Sequence, residues 1–168
     1  MKDLQSSRKP DSDSADTPET ELPPRYHLNI TVVYQGEAAR ARADKVVAQA
    51  VALVGGTGVC PTWLNMDRLC DTVGRSDSVW AVALADILVL SFRGDDSLPL
   101  GFHDWIMQGL VWRCGRKALL VALPGTPQQT CQSCAGLRVY VEALATSSGM
   151  DFLVREPEWA ARFPQLAA

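Results

Sequence analysis

Cys131-Gln132-Ser133-Cys134 places two thiols at C-x-x-C spacing, at an expected helix N-terminus. There the helix dipole and free backbone N–H groups lower a thiol pKa, which is what a redox nucleophile needs. A second group of residues could bind a polar ligand: Gln35, Gly36 and Glu37; Ser91, Arg93, Gly94, Asp95 and Asp96; and Gly125 with Thr126. All of these fall in loops that follow expected strands. The neighbouring carboxylates of Asp95 and Asp96 could hold a divalent cation, although adjacent loop carboxylates are ordinarily just solvated.

The setting of the cysteine pair weakens the redox reading. Thioredoxin-like proteins carry C-x-x-C after their first strand, usually behind an aromatic residue. Here the pair follows the fourth expected strand, behind Gln129-Thr130. Zinc would require two further ligands from Cys60, Cys70, Cys114 or His103, whose spacing fits no zinc pattern, so no metal site is assigned. With His27 and His103 as the only histidines, no Ser-His-Asp or Cys-His set is specified. Five cysteines is an odd number, and the chain is not a small disulfide scaffold. Reduced thiols with a structural role are the expectation.

The elements that must position these residues are legible from periodicity. Ile87 to Phe92 and Ala118 to Leu123 are continuous apolar runs, separated by a polar Gly/Pro loop and an amphipathic segment from Phe102 to Cys114. Strands apolar on both faces belong in a parallel sheet covered by helices on each side. The same reading gives a strand over His27 to Tyr34 and a helix from Glu37 to Val54 stopped by Gly55-Gly56. A weaker strand spans Gly58 to Leu64, and a short helical turn is expected within Met66 to Gly74. Ser76 is an expected N-cap for a helix over Asp77 to Ala85. Further on come a helix from Gln132 to Ser147, a short strand from Asp151 to Val154, and a last helix from Pro157 to Phe163. Five strands alternating with helices predict a three-layer α/β/α sandwich with a five-stranded parallel sheet, flavodoxin-like in order 2-1-3-4-5. Ligands in such sheets bind beyond the carboxyl ends of the strands, where the strand order reverses. That rule selects the loop residues named above.

Residues 1–25 are rich in Ser, Asp, Glu and Pro and hold no aromatic residue. A disordered N-terminal tail is expected, followed by a single domain over 26–168. The net charge of -3 and pI near 5.3 argue against electrostatic binding to nucleic acid. No apolar run approaches the roughly 18 residues that span a bilayer, and the start of the chain has no apolar signal-peptide core. A cytoplasmic location is the expectation. The five tryptophans read as packing anchors, with Trp105, Trp112 and Met107 as an alternative interface patch.

Phosphate-cradling chemistry is disfavoured. Tyr34-Gln35-Gly36-Glu37 has one glycine and places a carboxylate where a phosphate would sit, and no Walker A pattern occurs. The architecture resembles response-regulator receiver domains. That family uses an acidic pair after strand one, an aspartate ending strand three, a Ser or Thr after strand four and a Lys after strand five. Here Glu37 matches the pair poorly, strand three ends in Ser91-Phe92, Thr126 lies near the fourth position, and Arg155-Glu156 follows strand five. A phosphoaccepting receiver is therefore disfavoured, and a degenerate one with only a docking role is left open.

Ile30 to Gly36, Trp63-Leu64-Asn65-Met66-Asp67-Arg68-Leu69, and Ala85 to Ser91 with Gly94, Leu98-Pro99 and Trp105 are similar to uncharacterised bacterial α/β proteins. This likeness covers Ile30 to Leu123. It implies a compact cytoplasmic flavodoxin-like or receiver-like domain and carries no activity or cofactor with it. The expected function is a small non-catalytic binding or regulatory module, its partner another protein, a second copy of itself or a small-molecule ligand. The alternatives are a thiol-redox protein using Cys131 and Cys134, and an enzyme acting on a small nucleotide or sugar at the strand edge.

Overall fold

The computed structural model describes residues 27–55, 58–69, 75–93, 98–125 and 132–155, without the side chains of residues 75 and 132–135. In chain order the elements are β1 (Leu28–Tyr34), α1 (Gly36–Val54), β2 (Val59–Asn65), a 3-10 turn (Met66–Arg68) and α2 (Arg75–Leu84). β3 (Ile87–Ser91), α3 (Phe102–Val111), β4 (Leu119–Leu123), α4 (Gln132–Ser147) and β5 (Asp151–Val154) follow. All four strand pairings are parallel, and the order is β2-β1-β3-β4-β5. This is the flavodoxin-like order expected from the alternation of elements.

The register explains why the central strands are apolar throughout. Trp63, Val32, Val89, Val121 and Leu153 stand in one row across the sheet, and Leu64, Val33, Leu90, Ala122 and Val154 in the next. Successive strand residues point to opposite faces, so each row feeds a different core. The first faces α1, through Ala43 and Val47. The second faces α2, α3 and α4, through Val79, Val82, Trp105, Ile106, Val141 and Leu144. Gly55, in a left-handed conformation at φ 82°, ends α1 and donates its N–H back to the last turn.

Several boundaries differ from the sequence-based expectation by one to three residues. α2 already includes Arg75, so Ser76 lies inside the first turn and does not cap it. α3 stops at Val111, three residues before the expected Cys114. The reason is Arg113, 1% exposed, whose guanidinium donates to the carbonyls of Val82 (3.0 Å), Ala85 (2.7 Å) and Arg116 (3.3 Å). Turning this side chain inward unwinds the backbone through Cys114 (φ 50°) and Gly115 (φ 73°). β3 ends at Ser91, one residue early, although Phe92 N–H still donates to Leu123 O at 3.1 Å. The expected tail over 1–25 and the expected helix from Pro157 to Phe163 lie outside the described residues.

Close helix contact sets the α2–α3 layer. A Cβ at Gly109 would stand 2.7 Å from Val82 Cβ, so only glycine permits this approach. Trp105 Nε1 donates to Ser78 Oγ at 2.9 Å in the same interface, satisfying the indole that α3 buries.

Candidate functional site

The carboxyl edge of the sheet brings together the predicted loops after β1 and β3. Gln35 N–H donates to Ser91 O at 3.0 Å, and Arg93 N–H donates to Gln35 Oε1 at 3.3 Å. Gly36, at φ +78°, opens α1 beneath the Arg93 side chain; a Cβ there would lie 3.0 Å from Arg93 Nη2. Glu37 is exposed in the first turn of α1, and Gly125 is buried at the exit from β4. Gln35, Gly36, Ser91 and Arg93 thus form one neighbourhood. Gly94, Asp95, Asp96 and Thr126 lie outside the described residues, as do Cys131 and the side chain of Cys134.

Ser91 holds the place where a receiver domain carries its phosphoacceptor. It is fully buried, and its hydroxyl donates to Ala39 O at 2.8 Å. The group is a strut between β3 and α1 and not a reactive hydroxyl facing solvent. Arg42 acts similarly: its Nη2 donates to Phe92 O, closing the backbone at the end of β3. Burial pushes the Arg42 pKa below the usual guanidinium value. Its Nε is buried with no hydrogen-bond partner.

Arg40 lies over both Tyr34 (5.7 Å) and Trp63 (5.9 Å), whose rings meet edge to face at 6.3 Å. In the sequence, Arg40 and Arg42 fall outside the apolar stripe of α1. One signal was present: Arg42 falls three residues after Ala39 and four before Val46, on the border of the apolar stripe. Among the described residues of the loops after β1, β3 and β4, Glu37 is the sole carboxylate.

The recess next to the edge, between Met66, Leu69, Pro99, Phe102 and Trp105, holds about 120 Å³. Sites for nucleotides or sugars enclose roughly 300–1,000 Å³. Among the described residues no cluster of three His, Cys, Asp or Glu could hold a metal ion, and Cys60 and Cys114 are exposed free thiols. No described helix is long and apolar enough to cross a membrane.

The tryptophans divide in a way the sequence did not indicate. Trp105 is buried, which removes it from the expected surface patch, and the exposed partner of Trp112 is Trp80. Their ring centroids are 5.7 Å apart. Val111 and Leu84 extend the exposed apolar surface along α3 and α2, and both tryptophans are more than half exposed.

These features define a flavodoxin-like α/β domain whose described strand-end polar groups serve largely to join strands to helix α1. No protein-family model matches the chain, and the search of curated proteins finds no match.

Proposed function

We propose that this protein is a non-catalytic binding module that self-associates through the ridge formed by α2 and α3. The observation that carries the reading is the exposed Trp80–Trp112 stack, flanked by Leu84 and Val111. Solvent-facing tryptophans in contact with each other mark an interaction surface, because aromatic residues are enriched at interface centres. The exposed patch of Trp80, Leu84, Val111 and Trp112 is apolar, so it selects an apolar counterpart. A second copy supplies one directly, since a two-fold axis places the same patch on itself.

The expected affinity is modest. Burying the exposed halves of four indoles across a symmetric pair removes roughly 400 Å² from water, worth about 10 kcal/mol at 25 cal/mol/Å². Association itself costs on the order of 4–15 kcal/mol. The balance favours a weak, concentration-dependent dimer, as suits a regulatory contact. The strand-end edge supports the non-catalytic part of the reading: Ser91, Arg42 and Gln35 are engaged by backbone groups.

Sedimentation velocity from about 1 µM to about 1 mM, the range of weak association, tests this. The expected result is a monomer–dimer equilibrium that disappears in the Trp80→Ser/Trp112→Ser variant. A wild-type chain that stays monomeric across the range would overturn it.

A further inference from the structure

The stacked indoles can be only part of a contact surface. Across a symmetric pair they supply roughly 400 Å², against about 1,200–2,000 Å² in specific, stable interfaces. The ridge continues into an open groove of about 700 Å³ on the outer side of α3, lined by His103, Asp104, Met107, Gln108, Val111 and Trp112. The last two belong to both surfaces. All six are exposed except Met107, which is partly buried. Their spacing is self-complementary. Helix positions four apart lie on one row, separated by about 6 Å along the axis. Met107 and Val111 make one such row. Gln108 and Trp112 make the next, nearer α2, because Trp112 is still in helical conformation and its ring meets Trp80. A two-fold axis crossing α3 at right angles, level with Gly109 and Leu110, turns each row end for end onto itself.

We propose that α3 of a second copy packs antiparallel along this groove, with Met107 of each copy on Val111 of the other and Gln108 of each on Trp112 of the other. This rests on the self-association proposed above and assigns its geometry. Each copy then contributes the same residues twice, as an isologous contact requires. Methionine and aromatic residues are the types enriched at interface cores. The charges agree with the antiparallel sense. Asp104, one turn further toward the start of α3, comes over the partner's turn at Gly115, where Arg116 and Lys117 are exposed. Arg116 also pairs with Asp86 of its own chain at 3.4 Å, which leaves Lys117 as the freer cation. Antiparallel helices further set the positive end of one dipole beside the negative end of the other. A parallel pairing would instead bring Asp104 beside Asp104.

Methyl NMR on a mixture of two differently labelled full-length copies tests the arrangement, at about 1 mM where a weak dimer is populated. The expected result is intermolecular cross-relaxation between the Met107 methyl of one copy and the Val111 methyls of the other. Sedimentation velocity on the same sample separates the two ways of failing. A dimer without these cross-peaks, or with Val111 facing Val111 of the other copy, would overturn the antiparallel packing and leave self-association standing. A chain that stays monomeric would overturn both. Asp104→Lys, an exposed change outside the tryptophan ridge, gives a second reading. It should weaken the wild-type dimer about threefold at low salt, and less at high salt. An unchanged affinity would remove the Asp104 contact, and the antiparallel register with it.

Discussion

The Ser91 hydroxyl donates a 2.8 Å hydrogen bond to the Ala39 carbonyl, joining the end of β3 to the first turns of α1 across 52 residues of sequence. Both residues are fully buried. The bond gives the hydroxyl at the end of β3 a structural role, as the donor in a contact between strand and helix.

A removed hydroxyl and an introduced carboxylate should therefore behave very differently at this position. Ser91→Ala loses one buried hydrogen bond, about 1 kcal/mol. Ser91→Asp places a charge against a carbonyl oxygen and should cost about 3 kcal/mol or more. Urea unfolding midpoints separate the two. Equal stability of both variants would mean that the site can solvate a carboxylate, contrary to the packing described.

The α2–α3 contact predicts the effect of a single methyl group. Gly109→Ala gains about 1 kcal/mol of helix propensity but drives its Cβ to 2.7 Å from Val82 Cβ and Cγ1. Overpacking of this kind costs about 1–3 kcal/mol, so a net loss is expected. Adding Val82→Ala should restore part of it, which a double-mutant cycle would read as coupling. Strict additivity would show that the helices do not touch there.

Arg113 is the buried cation that ends α3 and holds the end of α2. Arg113→Met leaves the Val82 and Ala85 carbonyls without this donor. A loss of about 3 kcal/mol is expected, or a melting temperature lower by about 6–12 °C for a chain of this size. Lysine lacks the planar fork that reaches several carbonyls together, so Arg113→Lys should recover only part of the loss. Full recovery by lysine would show that charge alone matters.

Tyr140 shares a 3.0 Å hydrogen bond with His103 Nδ1. Burial, and secondarily the nearby Asp104 carboxylate, push its pKa above the usual phenol value of 10.0. A raised folded-state pKa means that the folded chain holds the proton more tightly than the unfolded one. The associated stability is fully present below pH 10 and is lost as pH rises through the folded value. In an ultraviolet difference titration of wild type against Tyr140→Phe, the missing phenol should ionise above pH 10. Ionisation at or below 10 would contradict the burial.

The placement of the strand-end residues was legible in outline. Gln35, Gly36, Ser91 and Arg93 do meet at the carboxyl edge, because strand order 2-1-3-4-5 sets β1 beside β3. Their individual roles were not legible. A serine ending an apolar strand reads the same whether its hydroxyl faces a ligand or a helix carbonyl, and Arg40 and Arg42 read only as positions off the apolar stripe of α1 until the tertiary contacts supply Tyr34, Trp63 and Phe92.

The alternation of apolar runs and amphipathic helices was enough to specify five parallel strands and their neighbours, because those signals arise from local backbone geometry and from average burial. It could not say which tryptophan goes inside. Trp105 is buried with its indole N–H on Ser78, while Trp80 and Trp112 stack in the open. Nor could it show that a buried arginine would end α3 early. Those outcomes depend on which surfaces meet across 27 to 31 residues of chain, and only the folded packing brings those surfaces together.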